Sequence, residues 1–266
     1  MIVIKIGGSV VDGLHPSTIQ DIKNLSLSNN VVIVHGGGKE VTNIGNRMGK
    51  EQKFIVSPGG VRSRYTDKET AEIYTMVMSG KINKSIVRML LQHGVNAVGI
   101  SGIDGSILNA ERKKKLVILN EKGRKMVIDG GYTGKICNVN VELINALLIK
   151  KFIPVISPIA LSEDYDFLNV DGDRAAAYIA GGLKADKAIF ITNVNGLILD
   201  DVLVKEMTSE QAKNILPKIG FGMEKKVLAC TEALNMGVSE AIIASGQVEN
   251  PISSAIDHTN CTVISK

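Results

Sequence analysis

"VVIVHGGGKEV", residues 31–41, is a run of β-branched residues that ends at three consecutive glycines. "MIVIKIGGSV", residues 1–10, has the same design and places Lys5 just before two glycines. Short and almost wholly apolar runs are typical of strands buried on both faces, as in a parallel sheet. Glycine turns at the carboxyl ends of such strands mark the edge where ligands bind. Neither stretch has the spacing of a P-loop or of a dinucleotide-binding turn. Together they predict a parallel α/β sheet with a ligand site at the two turns.

The same alternation of elements continues along the chain. Further strand-like runs are NAVGIS (96–101), FIPVIS (152–157), KAIFIT (187–192), EAIIAS (240–245) and CTVIS (261–265). Segments of helical periodicity lie between them, at residues 16–28, 66–94, 141–152, 173–183 and 223–237. Alternating strands and helices predict an α/β fold, a three-layer α/β/α sandwich around a mainly parallel sheet. KLVILNEKGRKMVIDGG (115–131) departs from the alternation and predicts a β-hairpin inserted in the N-terminal half.

Composition excludes several classes of protein. The chain has 266 residues, of which 44% are hydrophobic, and a formal net charge of +4, values that fit one large globular unit or two joined lobes. No apolar run approaches the roughly 20 residues of a membrane span. The 3 cysteines and 4 histidines are scattered, which predicts neither a disulfide framework nor a metal site and favours a cytoplasmic location. Because tryptophan is absent and aromatic residues are few, nucleic-acid binding is not expected.

Four stretches carry a resemblance to a known family. They are IKIGGS (4–9), HGGGKEV (35–41), NVDGDRAAA (169–177) and FGMEKKV (221–227), and in this order they resemble the amino acid kinase family. The segments at residues 66–87 and 191–197 look like its N-acetylglutamate kinase branch. RSRYTDKET (62–70) and GGYTGKI (130–136) are similar to the archaeal and thermophile kinases that act on α-aminoadipate or glutamate attached to the small acidic carrier protein LysW.

The resemblance implies a reaction and a set of site residues. ATP, accompanied by Mg²⁺, would phosphorylate a side-chain carboxylate, which needs no general base because it is already ionised. Lys5 and Lys226 would bracket the transferring phosphoryl group, and Asp173 would hold both ammonium groups. Lys225 could compete with its neighbour, but the spacing after Gly-Met selects Lys226. The glycine NH groups could approach the phosphate closely, since no Cβ blocks them.

Two further groups of residues follow from the same resemblance. Substrate-binding residues would be Gly36, Gly37, Gly38, Arg64 and Asn169, with Arg64 on the α-carboxylate and Asn169 on the blocked α-amino group or the same carboxylate. Nucleotide-binding residues would be Gly7, Gly8, Thr192, Asn193, Gly196 and Met223. A seam near residues 160–170 would separate an N-terminal lobe, residues 1–165, that binds the acyl acceptor and dimerises, from a C-terminal lobe, residues 166–266, that binds ATP.

The predicted hairpin carries a cluster of basic residues. They are Arg112, Lys113, Lys114, Lys115, Lys122, Arg124 and Lys125. Such a run is usually a solvated face, but it would also steer an acidic carrier protein toward the site. This second interpretation favours a carrier-linked substrate, for lysine biosynthesis with arginine biosynthesis left open, over free N-acetylglutamate. Aminoadipate and glutamate are not distinguished, because one methylene changes binding by only about 1–3 kcal/mol.

The alternatives within the family and outside it are weaker. A uridylate kinase would lack the arginine of RSRYTD, and an aspartokinase or a glutamate 5-kinase would usually carry additional domains. A non-catalytic amino-acid sensor is the alternative of another class, and the charges at Lys5, Asp173 and Lys226 argue against it. The long helix predicted over residues 67–93, capped by Thr66 or Asp67, carries apolar residues beyond one core-facing stripe and predicts a homodimer. Those residues are Ile73, Met76, Val77 and Met78.

Overall fold

The computed structural model describes residues 1–8, 15–220 and 222–266, and a large mixed sheet is built from strands of these ranges. Its strands, in chain order, are β1 Ile2–Ile6, β2 Val31–His35, β5 Ala97–Ser101, β10 Ile153–Ser157, β13 Lys187–Thr192, β16 Glu206–Thr208, β17 Glu240–Ser245 and β18 Cys261–Ser265. Across the sheet they follow the order β16-β18-β17-β13-β1-β2-β10-β5. Ser9 and Phe221, which belong to two of the quoted motifs, lie outside the described residues.

The centre of this sheet is the pair of strands that carry the glycine turns. β1 pairs in parallel with β2 on one side, where Lys5 is level with Val34, and with β13 on the other. Every residue of β1 and β2 is buried, which explains why both runs are apolar with no polar alternation. The last strand, β18, is antiparallel to β17 and parallel to β16, so the sheet is mainly but not entirely parallel.

Two hydrophobic cores cover the opposite faces of the sheet. Val3 of β1 belongs to one core, and Ile4 belongs to the other. The helices are α1 Thr18–Ser26, α2 Gly38–Arg47, α3 Lys68–Thr75, α4 Asn83–Gln92, α5 Glu142–Ile149, α6 Gly172–Gly182, α7 Ser209–Ile215, α8 Met223–Asn235 and α9 Pro251–Ile256. α5 to α8 pack on the Val3 face and α1 to α4 with α9 on the Ile4 face. The predicted three-layer sandwich is confirmed.

The segment predicted as one helix over residues 67–93 has three parts. α3 begins at the Asp67 cap, whose side chain accepts a hydrogen bond from the Thr70 backbone NH. A π-helix, Met76–Ile82, follows it without a break and leads into α4. Of the residues proposed to face a partner copy, Ile73, Val77 and Met78 are buried within the chain, and Met76 is 53% exposed. Three of the four apolar residues that predicted a dimer surface therefore pack in the chain's own core.

A smaller sheet and three hairpins lie beside the main sheet. The smaller sheet has the order β12-β11-β6-β9, made of β6 Leu108–Arg112, β9 Gly134–Val139, β11 Ile159–Leu161 and β12 Phe167–Asn169. The hairpins are β3 Phe54–Val56 with β4 Arg62–Arg64, β7 Lys115–Leu119 with β8 Lys125–Asp129, and β14 Ile198–Leu199 with β15 Val202–Leu203. The inserted hairpin predicted from the sequence is the β7–β8 pair. Short 3₁₀ turns occupy Asp104–Ser106 and Leu216–Lys218.

The expected seam between lobes falls in the turn that joins β11 to β12. These two strands pair with each other, and the main sheet continues past the seam because β1 pairs with β13. The N-terminal and C-terminal parts of the chain therefore share one sheet. Among the described residues, no helix is long and apolar enough to cross a membrane.

Candidate active site

A cavity of about 560 Å³ opens at the carboxyl ends of β1 and β2. Residues from both predicted lobes line it, and they include most of the residues predicted to bind the acyl acceptor or act in catalysis. Those lining residues are Lys5, Gly36, Gly37, Gly38, Arg64, Asn169 and Asp173. The cavity thus forms at the edge of the sheet where the two glycine turns predicted a ligand site.

Three charged side chains meet beside this cavity. Lys5 Nζ lies 2.6 Å from Asp173 Oδ1, and Lys226 Nζ lies 3.1 Å from Asp173 Oδ2. Asp173 and Lys5 are almost fully buried, which is possible for charged groups only when they are paired. Burial alone would raise the pKa of Asp173, but the two ammonium groups outweigh burial and lower it. Asp173 is therefore ionised at neutral pH and holds two cations, which leaves a net positive charge.

The positions of these three groups follow from their elements. Lys5 is on β1, Asp173 is in the first turn of α6, and Lys226 is in the first turn of α8. Asp171 caps α6, since its side chain accepts hydrogen bonds from the backbone NH groups of Asp173 and Arg174. Sites far apart in the sequence are thus brought together by a strand end and two helix starts.

The glycines of the two turns are required by three different contacts. A Cβ on Gly8 would lie 2.3 Å from Gly37 N, and a Cβ on Gly36 would lie 2.6 Å from Gly8 N, so the two turns pack backbone to backbone. A Cβ on Gly37 would meet Ile82 Cδ1 at 2.1 Å. Of Gly8, Gly36, Gly37 and Gly38, the last alone faces open space, with Arg64 Nη2 3.9 Å away. Gly36 and Gly37 thus lack side chains because other parts of the chain lie against them, and their contact with a ligand stays a prediction.

The start of α2 lies at the cavity and has no side-chain cap among the described residues. Gly37 occupies the N-cap position and has no side chain to accept hydrogen bonds from the first turn. Unsatisfied NH groups and the helix dipole favour an anion at such an end. Gly37 and Gly38 both line the cavity, so this helix start is available to a phosphate or a carboxylate.

His35 lies beneath the glycine turn as a buried neutral imidazole. Its Nδ1 donates to the Gly36 carbonyl at 3.0 Å, and Asn83 Nδ2 lies 3.3 Å from Nε2. Burial is the main cause that lowers the pKa of His35 to about 4, and Lys5 lowers it further. Asn83 also donates to the Val155 carbonyl at 2.8 Å, so the π-helix end, the turn and the sheet are linked. His35 therefore has a structural role beneath the turn.

Arg64 enters the cavity with neutral partners only. It donates to the Gly38 carbonyl at 2.7 Å, to Thr42 Oγ1 at 2.9 Å and to Gln52 Oε1. Burial lowers its pKa, and the described part of the chain offers it no carboxylate within salt-bridge distance. A guanidinium held in this way is suited to a carboxylate from outside the chain.

Of the predicted nucleotide-binding residues, Gly8 alone lines the cavity. Gly7 donates to the Ile191 carbonyl at 3.1 Å, which places the first glycine turn against the end of β13, where Thr192 is buried. Gly196 is required by packing, because a Cβ there would lie 2.4 Å from Thr262 Oγ1. Asn193 is exposed and Met223 is partly buried at the start of α8. Their contact with a nucleotide remains a prediction.

Comparison with known proteins places the chain in a family. The description "Amino acid kinase family" matches residues 1–245. The chain belongs to this family. A protein of Nitrosopumilus maritimus, provisionally named a LysW-aminoadipate/LysW-glutamate kinase, is 66% identical over 99% of both chains. A protein of Metallosphaera sedula with that name is 46% identical over 96% of this chain and 97% of its own. A solved Streptococcus mutans structure, 24% identical, has a TM-score of 0.80 over 99% of this chain and 98% of that one, and it shows the fold alone.

The structure adds cavity residues to this amino acid kinase that the sequence interpretation missed. Lys225 lines the cavity, donates to the Arg62 carbonyl at 3.3 Å and lies 3.9 Å from Asp171 Oδ2. It therefore links β4 to the start of α6. The sequence analysis considered Lys225 only as a competitor of Lys226 and did not predict this position in the cavity.

The basic residues near the hairpin do not form one projecting patch. Arg112 lies over the Tyr132 ring at 4.1 Å and donates to the Gly131 carbonyl at 2.6 Å, so it belongs to the smaller sheet. Lys113 is partly buried and lines the cavity. The exposed cations are the remaining five, Lys114, Lys115, Lys122, Arg124 and Lys125. Only these can act as a charged outer surface.

Within the described residues, no group of three histidine, cysteine, aspartate or glutamate side chains is arranged to hold a metal ion.

Proposed function

We propose that this chain transfers the γ-phosphoryl group of ATP to the side-chain carboxylate of α-aminoadipate or glutamate whose α-amino group is joined to a carrier protein of the LysW type. The product is an acyl phosphate, an intermediate of lysine biosynthesis. The observation that carries the proposal is the position of Asp173 between two lysines beside a cavity that also contains Arg64, which has no carboxylate partner among the described residues. The names of relatives that are similar over nearly the whole chain support the same substrate class.

The chemistry needs positive charge more than it needs a base. A carboxylate oxygen of the acceptor attacks the γ-phosphorus, the bond to the β–γ bridging oxygen breaks, and ADP leaves with that electron pair. Negative charge moves between the oxygens of the attacking, transferring and leaving groups during this step. Lys5 and Lys226 offset that charge, and Asp173 fixes both ammonium groups before the substrates arrive. Mg²⁺ enters with ATP and binds its phosphate oxygens.

The acceptor end of the cavity determines how the substrate is held. Arg64 binds the α-carboxylate through the NH groups that its three hydrogen bonds within the chain leave free. The start of α2 at Gly37 and Gly38 faces the reacting carboxylate. Asn169, whose side chain donates to Thr66 Oγ1 at 2.9 Å, binds the blocked α-amino group through its remaining polar atoms. Gly7, Gly8, Thr192, Asn193, Gly196 and Met223 contact ATP.

The enzyme acts in the cytoplasm and as a homodimer in this proposal. Three free thiols among the described residues fit a reducing compartment. Met76 and Leu91, each 53% exposed on the segment of residues 67–93, are apolar side chains that a second copy could cover. Sedimentation velocity at micromolar concentration tests the dimer, and a monomer-sized species contradicts it.

The proposed reaction is tested by trapping the acyl phosphate with hydroxylamine. Carrier-linked aminoadipate, carrier-linked glutamate and free N-acetylglutamate are compared in the presence of MgATP. We expect hydroxamate from a carrier-linked acceptor at a kcat/KM well above that of N-acetylglutamate. A preference for free N-acetylglutamate would make the chain an N-acetylglutamate kinase, and no hydroxamate or ADP with any acceptor would indicate a sensor.

A further inference from the structure

Lys113 lies in the cavity but has no part in the proposed phosphoryl transfer. It stands at the corner where β6 passes into the β7–β8 hairpin. Its backbone NH donates to the Thr133 carbonyl at 2.9 Å, and the next carbonyl, of Lys114, accepts from Gly130 NH at 3.1 Å. A Cβ on Gly130 would lie 1.5 Å from the Lys113 carbonyl oxygen, so this corner is tightly packed. The side chain of Lys113 therefore extends into the cavity from a fixed backbone.

The ammonium group of Lys113 has no opposite charge of its own. No carboxylate in the described ranges lies within 4.0 Å of it, in contrast to Lys5 and Lys226. Its pKa is lowered by burial and by the neighbouring cations Arg174 and Lys135, and the more distant Asp171 carboxylate opposes this only in part. A partly buried cation that faces like charges is unfavourable unless an anion joins it. The arrangement is thus suited to an anionic ligand group.

The position of Lys113 relates it to one part of the acceptor. Thr133 forms a bridge with Asn169, and it also accepts the Lys113 backbone hydrogen bond. Lys113, Thr133 and Asn169 therefore lie side by side on neighbouring backbone segments. At roughly 4.8 Å per strand spacing, Lys113 is about 10 Å from Asn169 across the sheet. Asn169 binds the blocked α-amino group in the proposed function, so Lys113 lies on the side of the blocking acyl group.

We propose that Lys113 forms a subsite for a carboxylate carried by the acyl group on the substrate's α-amino group. The inference rests on the proposed function and deepens it. The amino acid itself has two carboxylates, one that reacts and one that pairs with Arg64. An acetyl group adds no charge and leaves Lys113 unpaired, whereas an acidic acyl residue supplies the third carboxylate. The enzyme then selects its acceptor partly through the group that blocks the amine.

The subsite is tested with two small ligands that differ only in charge. N-succinyl-α-aminoadipate carries a carboxylate at the end of the acyl group, and N-succinamoyl-α-aminoadipate carries the neutral amide of the same size. Their dissociation constants are measured by calorimetry on the whole protein. We expect the succinyl compound to bind about tenfold more tightly, which is the effect of one charge-assisted hydrogen bond.

Variants of Lys113 test whether its side chain causes the preference for the succinyl compound. Lys113→Met keeps the apolar stem and should bring the ratio of the two dissociation constants close to one. Lys113→Arg should retain a preference for the succinyl compound, and Lys114→Met, at the exposed neighbouring position, should leave the ratio unchanged. A wild-type ratio near one, failure of both compounds to bind, or an unchanged ratio in Lys113→Met overturns the subsite. Failure of the proposed function appears separately, as absence of acyl phosphate with every acceptor.

Discussion

Asp173 is the residue on which the site depends, because it neutralises one of the two ammonium groups that it contacts and leaves the other charge available. Its own ionisation is secured by the same lysines, which lower its pKa against the effect of burial. The arrangement is preorganised, since both cations are in place before ATP binds. Removal of either lysine should therefore affect turnover more than substrate affinity.

Replacing Lys5 or Lys226 by methionine should lower kcat by about 100-fold or more, because loss of one group that stabilises developing charge costs about 3–4 kcal/mol. The measurement is hydroxamate formation at saturating ATP and acceptor, with circular dichroism to confirm folding. Lys218→Met, an exposed lysine in the turn before α8, is the control and should be near wild type. Turnover within threefold of wild type in either variant would remove that lysine from the mechanism.

His35 should make stability depend on pH. Its folded pKa, about 4, is below its ordinary value of 6.5, so the unfolded chain binds more protons between these two values. Stability therefore falls as pH decreases from about 6.5 toward 4, by about 2 kcal/mol between pH 7.5 and 5 from this residue alone. His35→Asn keeps a donor near the Gly36 carbonyl and does not titrate.

Urea unfolding of wild type and His35→Asn at both pH values isolates this effect. The loss of stability on acidification should be about 2 kcal/mol smaller in the variant. Equal losses in the two proteins would mean that His35 is protonated in the folded state.

The sequence was informative about charged residues at strand and helix ends, and less so about the rest of the site. Lys5 follows four apolar residues in a buried strand, so its charge stands out. Lys113 and Lys225 each belong to a run of lysines, and only tertiary packing separates a residue in the cavity from an exposed one. Gly36 and Gly37 look like ligand-contact glycines in sequence, because a close backbone neighbour and a ligand impose the same lack of a Cβ.

At the scale of elements, the glycine turns and the π-helix form one packed unit. The turns exclude side chains from each other, while Ile82 and Met78 of the π-helix fill the space against Gly37. The periodicity of residues 67–93 predicted a helix there but could not show its wider turn, because π-helical and α-helical stretches have similar apolar spacing over a few residues. α2 was not predicted, since only two of its residues are buried and its apolar stripe is weak.

Two glycine-to-alanine changes, one in a glycine turn and one in the π-helix, should change the free energy of unfolding in opposite directions. Gly36→Ala places a Cβ 2.6 Å from a backbone nitrogen and should lower the free energy of unfolding by about 1–3 kcal/mol. Gly80→Ala, in the π-helix, meets nothing within 4 Å and should raise it by about 0.4–1 kcal/mol. Urea denaturation measures both. Similar stabilities for the two variants would contradict the close packing of the turns.

At the scale of the whole molecule, the exposed charges of the β7–β8 hairpin are the surface that an acidic carrier would meet first. Changing Lys122, Arg124 and Lys125 to glutamate should raise KM for the carrier-linked substrate and weaken its dependence on salt, because exposed charges are screened over about 8–10 Å. Lys113 is left intact because it lines the cavity. Turnover at saturation should stay near wild type.

A control of equal charge tests whether position or net charge is responsible. Lys150, Lys213 and Lys218 are exposed, and changing them to glutamate alters the net charge by the same amount. This control should keep the wild-type KM. An equal rise of KM in both triple variants would show that overall charge, and not the hairpin, attracts the carrier.

The layered architecture was predictable because buried parallel strands are uniformly apolar and their order with helices limits the topology. The smaller sheet was not, because β11 and β12 have only 3 residues each and adjoin the predicted seam. The antiparallel pairing of β18 with β17 could not be predicted either, because an apolar run does not reveal the direction of its strand. These features depend on pairing between distant segments.

The central position of β1 has a consequence for how the chain is made. Ile2 is synthesised long before one of its two neighbours, Lys187. β18, in turn, inserts between β16 and β17, which are both made before it. During synthesis β1 therefore has one unpaired apolar edge until β13 has been made, a state that favours association with other chains.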